Sequence, residues 1–206
     1  MSRTRVLAAS TTLLLSALLA IGCADDRPET ATGESALSTP RPSSALRRAV
    51  SEIESEWGDE NIMNGQARIA ASKLRATRRN QEAQLKAYAE AAFAARAAAD
   101  DFVLSGAART SLGPATAASR AEVARIIAVE GFVYADNEGN VGPMRERIEG
   151  VLDKLGAPEK LDLLRYEGKG RVSLDDEEGE WKAHLFAFVN RDTREVVSFY
   201  VREGWT

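Results

Sequence analysis

Residues 171–202 read RVSLDDEEGEWKAHLFAFVNRDTREVVSFYVR. Two stretches within them, Trp181–Asn190 and Glu195–Arg202, are rich in Val, Phe, Tyr and Trp, the residue types that suit a pleated, packed surface. Between them Arg191-Asp192-Thr193-Arg194 is short and polar, which predicts a hairpin, with Arg194 standing where such a turn usually takes glycine. A third strand is expected at Arg171–Leu174, after the break at Gly168 and Gly170. A sheet of two or three strands is marginal in water by itself. It must lean on helices, and the preceding residues supply them.

The nearest is Pro143 to Leu155, where Met144, Ile148, Val151, Leu152 and Leu155 share one face and Gly156 gives a C-terminal stop. Pro158 is expected to open a further helical turn through Leu161 and Leu164. Farther back, Ser44 is a good N-cap for a helix with Leu46, Val50, Ile53 and Trp57 on one stripe. Gly58 ends that helix, and from Asp59 a long helical pattern runs through Leu74, Leu85, Tyr88, Ala92, Ala95 and Phe102. Ten of the seventeen residues from Ala83 to Ala99 are alanine, the strongest helix former and one that lets neighbours approach closely. Ser111-Leu112-Gly113-Pro114 interrupts this pattern, and Val123, Ile126, Ile127 and Val129 restart it. The simplest product is an antiparallel helical hairpin. Asp136, Glu138 and Asn140 recur like the oxygens of a calcium loop, but Val141 and Arg147 occupy its glycine and glutamate positions, so a polar turn is expected there. The fold class is therefore α+β: an N-terminal Ala-rich helical hairpin and short helices, followed by a small antiparallel C-terminal sheet packed on a helix. The folded domain spans 44–206, with a helical part at 44–156 and a β part at 157–206.

The chain begins MSRTRVLAASTTLLLSALLAIGC, two arginines ahead of an uncharged run from Val6 to Ile21. That order is the one found in secretory signals, and the run falls short of the about 20 apolar residues that cross a bilayer. Its end, Leu19-Ala20-Ile21-Gly22-Cys23, resembles the lipobox of bacterial lipoproteins. The resemblance implies cleavage after Gly22, a thioether-linked diacylglycerol on Cys23, and a location in the bacterial cell envelope outside the cytoplasm. Ala24 rather than aspartate follows the cysteine, which favours the outer membrane if the host has two. Cys23 is the chain's single cysteine, so an exported protein of this sequence has no internal disulfide and lipidation accounts for the residue. Domain limits follow: signal peptide 1–22, then the lipidated cysteine and a linker over 23–43. Residues 24–43 carry Pro28, Pro40 and Pro42 and little apolar surface, so a disordered leash with a span of roughly 25 Å is expected.

Function is less legible. Without Met1–Gly22 the 27 basic residues lose Arg3 and Arg5 while the 31 acidic residues stay, leaving a mildly acidic chain with no overall footprint for nucleic acid. No cofactor, metal ligand set or catalytic residue is assigned. His184 is the only histidine and reads as a strand residue at or near the surface. The acidic run Asp175, Asp176, Glu177, Glu178 and Glu180 reads as a solvated connection, and Arg68, Lys73, Arg75, Arg78 and Arg79 as a solvated helix face. The expected role is a non-enzymatic binding module tethered to the membrane through Cys23. Its candidate partners are an envelope protein, anionic lipid or wall polymer. An envelope hydrolase with a dispersed site is the alternative.

Overall fold

The computed structural model describes residues 40–60, 67–75, 78–131, 138–172 and 180–202. The expected signal peptide, Cys23 and the expected linker as far as residue 39 lie outside the described residues, as do Asp136 and most of the acidic run. Every described element belongs to the unit Ser38–Thr206. In chain order these are α1 (Ser44–Glu60), β1 (Ala67–Lys73), a single turn of 3-10 helix at Arg78–Asn80, α2 (Gln81–Ala99), β2 (Phe102–Leu104), β3 (Arg109–Pro114), α3 (Ala117–Gly131), α4 (Glu138–Leu155), a second such turn at Pro158–Lys160, β4 (Leu161–Val172), β5 (Trp181–Asn190) and β6 (Glu195–Arg202).

The strands form one antiparallel sheet in the order β1-β6-β5-β4-β2. β3 pairs with β4 as well, along the same edge as β2: Arg109–Pro114 faces Asp162–Glu167, and Phe102–Leu104 faces Gly170–Val172. The two central strands β5 and β6 are buried on both faces, which explains their nearly continuous apolar runs. Side chains alternate between two cores. Leu163, Phe186, Phe188, Val197 and Phe199 join α1, α3 and α4 on one face. Leu164, Leu185, Ala187, Val189, Val196 and Tyr200 join α2 on the other. Burying a side chain of this size stabilises by about 1.5–3 kcal/mol, so the sheet is the common wall of both cores.

The α+β class and the C-terminal antiparallel sheet packed on a helix, α4, are what the structure shows. The Ala-rich part is arranged differently from the expected hairpin. α2 and α3 lie on opposite faces of the sheet, because 102–104 and 109–114 leave the helical pattern and cover the free edge of β4. Pro114 fits there because an edge strand can spare an amide hydrogen. β1 replaces the helix expected to run on from Asp59: Ala67 and Ile69 point into the core with exposed Arg68 between them, and β6 needs a partner on that side. β4 likewise starts at Leu161, not Arg171. Leu161 and Leu164, three apart, are as consistent with a strand as with a helix, and they fall in different cores. Residues 138–147, considered for a calcium loop, belong to helix α4.

Two junctions depend on particular residues. Ser43, one residue before the expected cap, accepts from the Leu46 amide through Oγ at 3.3 Å, and its own amide donates to Glu195 at 2.5 Å, so Ser43 ties the start of α1 to β6. At the other end of the sheet, buried Asn190 donates to the Leu155 carbonyl at 2.8 Å and accepts from the Asp192 and Thr193 amides at 2.8 and 3.1 Å. This holds the end of α4 against the β5–β6 turn. Gly156 is required there, since it has φ 151° and a Cβ would lie 2.4 Å from the Asn190 amide nitrogen. Arg194 takes φ 64°, the left-handed conformation for which its position in the turn usually selects glycine.

Candidate functional site

Ser198, Tyr200 and Arg202 stand at alternate positions of β6 and therefore on one face, the one covered by α2. α2 packs on β2, β4, β5 and β6. Next to it, on the face of edge strand β1 that carries Arg68 and Ala70, runs an open groove of about 250 Å³. Its helix wall presents Tyr88, Ala92 and Arg96, and its floor presents Arg68, Ser198 and Tyr200. The register brings these together: Arg68 faces Tyr200 and Ala70 faces Ser198 across the β1–β6 ladder. The Tyr88 hydroxyl and Ser198 Oγ share a hydrogen bond of 2.9 Å. Tyr200 is 2% exposed, and its hydroxyl interacts with the Asp100 carboxyl over a distance too long for a close hydrogen bond.

Behind the groove, Asp100 at the C-terminal end of α2 approaches Arg202, Oδ2 to Nη1 3.9 Å. The two side chains are 14% and 5% exposed. Arg202 Nε and Asp100 Oδ2 also lack hydrogen-bond partners among the described residues. Burial raises the Asp100 carboxyl above its ordinary range, and the attraction of Arg202, the Tyr200 hydroxyl, Arg68 and Arg96 only partly offsets this. Burial likewise raises the Tyr200 hydroxyl, helped by the charge of Asp100 and its hold on the hydroxyl proton, and it raises Tyr88. Three guanidinium groups thus act on one carboxyl. Arg68 donates to its neighbour's carbonyl, Ala67, at 2.9 Å, and neither Arg68 nor Arg96 forms an ion pair among the described residues. Unbalanced positive charge beside buried hydroxyls is an arrangement that an anion completes.

His184 lines a second open groove, of about 420 Å³, with Ser105, Arg109, Glu167, Lys169 and Lys182. Arg109, Glu167 and His184 stand directly across β3, β4 and β5 from one another. The imidazole is 8% exposed, stacks on Phe186 at 5.6 Å and 5°, and places Nδ1 3.5 Å from Glu167 Oε1. Its carboxylate neighbours stay wet: Glu167 is 43% and Glu180 55% exposed. Ser105 Oγ lies 3.1 Å from both the Lys169 carbonyl and Glu180 Oε1, so its hydroxyl is committed there.

The expected basic cluster does not share one face. Arg68 and Lys73 sit on opposite faces of β1, and Arg79 follows on the 3-10 turn. Of the set, only Arg68 enters the groove beside α2. Arg96, Tyr88, Tyr200, Asp100 and Arg202 were not singled out from the sequence, although the alternation Ser198, Tyr200, Arg202 was there to be read. Among the described residues no cluster of His, Cys, Asp and Glu could hold a metal, and no helix is long and apolar enough to cross a membrane. Comparison with protein-family models, curated proteins and solved structures finds no match.

Proposed function

We propose that this protein is a lipoprotein of the bacterial cell envelope, anchored through lipid on Cys23, and that its folded unit is a binding module whose ligand occupies the groove beside α2. The anchor rests on the lipobox resemblance and on the lone cysteine; two or three acyl chains hold a protein stably where one does not. The binding reading rests on one observation: Arg68 and Arg96, neither in an ion pair among the described residues, line a groove whose floor holds the buried Tyr200 hydroxyl, which makes no close hydrogen bond. Buried polar groups are nearly always satisfied, so an exception calls for an explanation, and a ligand in the groove supplies one. The anchor is tested by metabolic labelling with a palmitate analogue. Cys23→Ser is expected to abolish labelling and to leave an uncleaved precursor; label retained in that variant rules the anchor out.

A second reading, an envelope hydrolase, is favoured by the groove at His184, where imidazole and Glu167 carboxylate lie side by side. It requires that ester or amide turnover by the purified protein fall at least a hundredfold in His184→Ala, since general acid–base catalysis contributes about 10²–10⁴. Turnover that is unchanged in that variant eliminates this site.

A further inference from the structure

We infer that the groove beside α2 takes a small organic carboxylate with a compact apolar body, its carboxylate held between Arg68 and Arg96 and its body laid against Ala92 and Leu185. The inference rests on the binding reading above and adds the ligand's class.

Charge is the first argument. Arg68, Arg96 and Arg202 outnumber Asp100, the carboxyl on which all three act, and the two rim guanidiniums are free of ion pairs among the described residues. A guanidinium matches a planar carboxylate with two parallel N–H donors. The Tyr200 hydroxyl, buried in the floor and held only at long range by Asp100, is a further donor that a ligand can draw on, and the Tyr88–Ser198 pair has a spare lone pair and one proton to direct. Shape is the second. Between the arginines the wall is Ala92 and Ala95 and the floor includes Leu185, surfaces that give a fully hydrated inorganic anion nothing to contact. At about 250 Å³ the groove lies below the about 300–1,000 Å³ typical of drug-sized ligands, so the body is small. Asp100 then works against the ligand, and neutralising it strengthens binding.

Titration calorimetry on the mature lipidated protein in zwitterionic nanodiscs, with empty nanodiscs as blank, tests this with benzoate, its uncharged isostere benzamide, and inorganic phosphate. Benzoate is expected to bind at least tenfold more tightly than either other probe. Arg96→Gln and Arg68→Gln should each weaken benzoate at least tenfold with unchanged thermal unfolding, because both side chains reach the surface. Asp100→Asn should tighten it severalfold, an effect that loss of folding cannot mimic. Benzamide binding as tightly as benzoate, or benzoate binding unaltered in both arginine variants, overturns the proposal. Phosphate matching benzoate overturns the apolar body and with it the class. If benzoate fails but an uncharged compound from a fragment screen perturbs the Tyr88 and Tyr200 resonances, the class falls and the binding reading survives. If no fragment perturbs them, both fall.

Discussion

A chain ending at Gly156 is expected to show no cooperative unfolding transition and to aggregate. It keeps all four helices and even β1, β2 and β3, but it loses β4, β5 and β6, the three strands against which everything else is packed. α1, α3 and α4 lose Leu163, Phe186, Phe188, Val197 and Phe199; α2 loses Leu164, Leu185, Val189 and Tyr200. At about 1.5–3 kcal/mol for each large buried side chain, the loss exceeds the about 5–15 kcal/mol by which whole domains are stable. The edge strands fare no better, since β1 pairs only with β6, and β2 and β3 only with β4. Their unpaired backbones then invite intermolecular pairing. Circular dichroism melts and gel filtration of the mature chain with and without 157–206 provide the check. A truncated chain that melts cooperatively at the temperature of the intact one shows that the helices have a core of their own and refutes the shared-wall account.

That dependence also explains what the sequence disclosed. β5 and β6 were legible because strands buried on both faces are apolar throughout, and their turn was legible from its chemistry, down to the strained position of Arg194. α1 and α4 were legible from a one-sided stripe. β1, β2 and β3 were not, because edge strands are half exposed and short. ARIAASK, the sequence of β1, has alanine where a central strand has valine, and only its pairing with β6 makes it a strand. Tertiary context overrides such weak local preference. The groove was hidden for a related reason. Its parts come from β1, α2 and β6, and Arg68 could not be placed opposite Tyr200 without the register that joins β1 to β6. The pairing of His184 with Glu167 is hidden too, because the three-residue spacing of Leu161 and Leu164 fits a helical turn as well as it fits β4.

Phe93→Ala is expected to destabilise the protein by about 3–5 kcal/mol, near the top of the range for single core truncations. Phe93 is 1% exposed and stands on the buried stripe of α2 between Ala89 and Ala97, neither of which can fill the space it would leave. Gly168 of β4, against which the ring packs, has no side chain at all. The ring meets Tyr166 of β4 at 4.8 Å, Tyr200 of β6 at 5.9 Å edge-on and Phe102 of β2 at 6.3 Å edge-on, so one side chain ties α2 to three strands. Such ring pairs add about 0.5–1.5 kcal/mol each beyond the area they bury. For a chain of this size the loss corresponds to a fall in melting temperature of roughly 6–20 °C. Phe93→Leu, which keeps most of the volume, should cost far less. The same substitution reaches the groove, because Phe93 packs against the ring whose hydroxyl forms part of its floor. Measured well below the melting temperature, benzoate affinity should therefore drop in Phe93→Ala and recover in Phe93→Leu. A Phe93→Ala protein less than 1 kcal/mol weaker than the parent would mean that α2 is held on the sheet by something other than this ring.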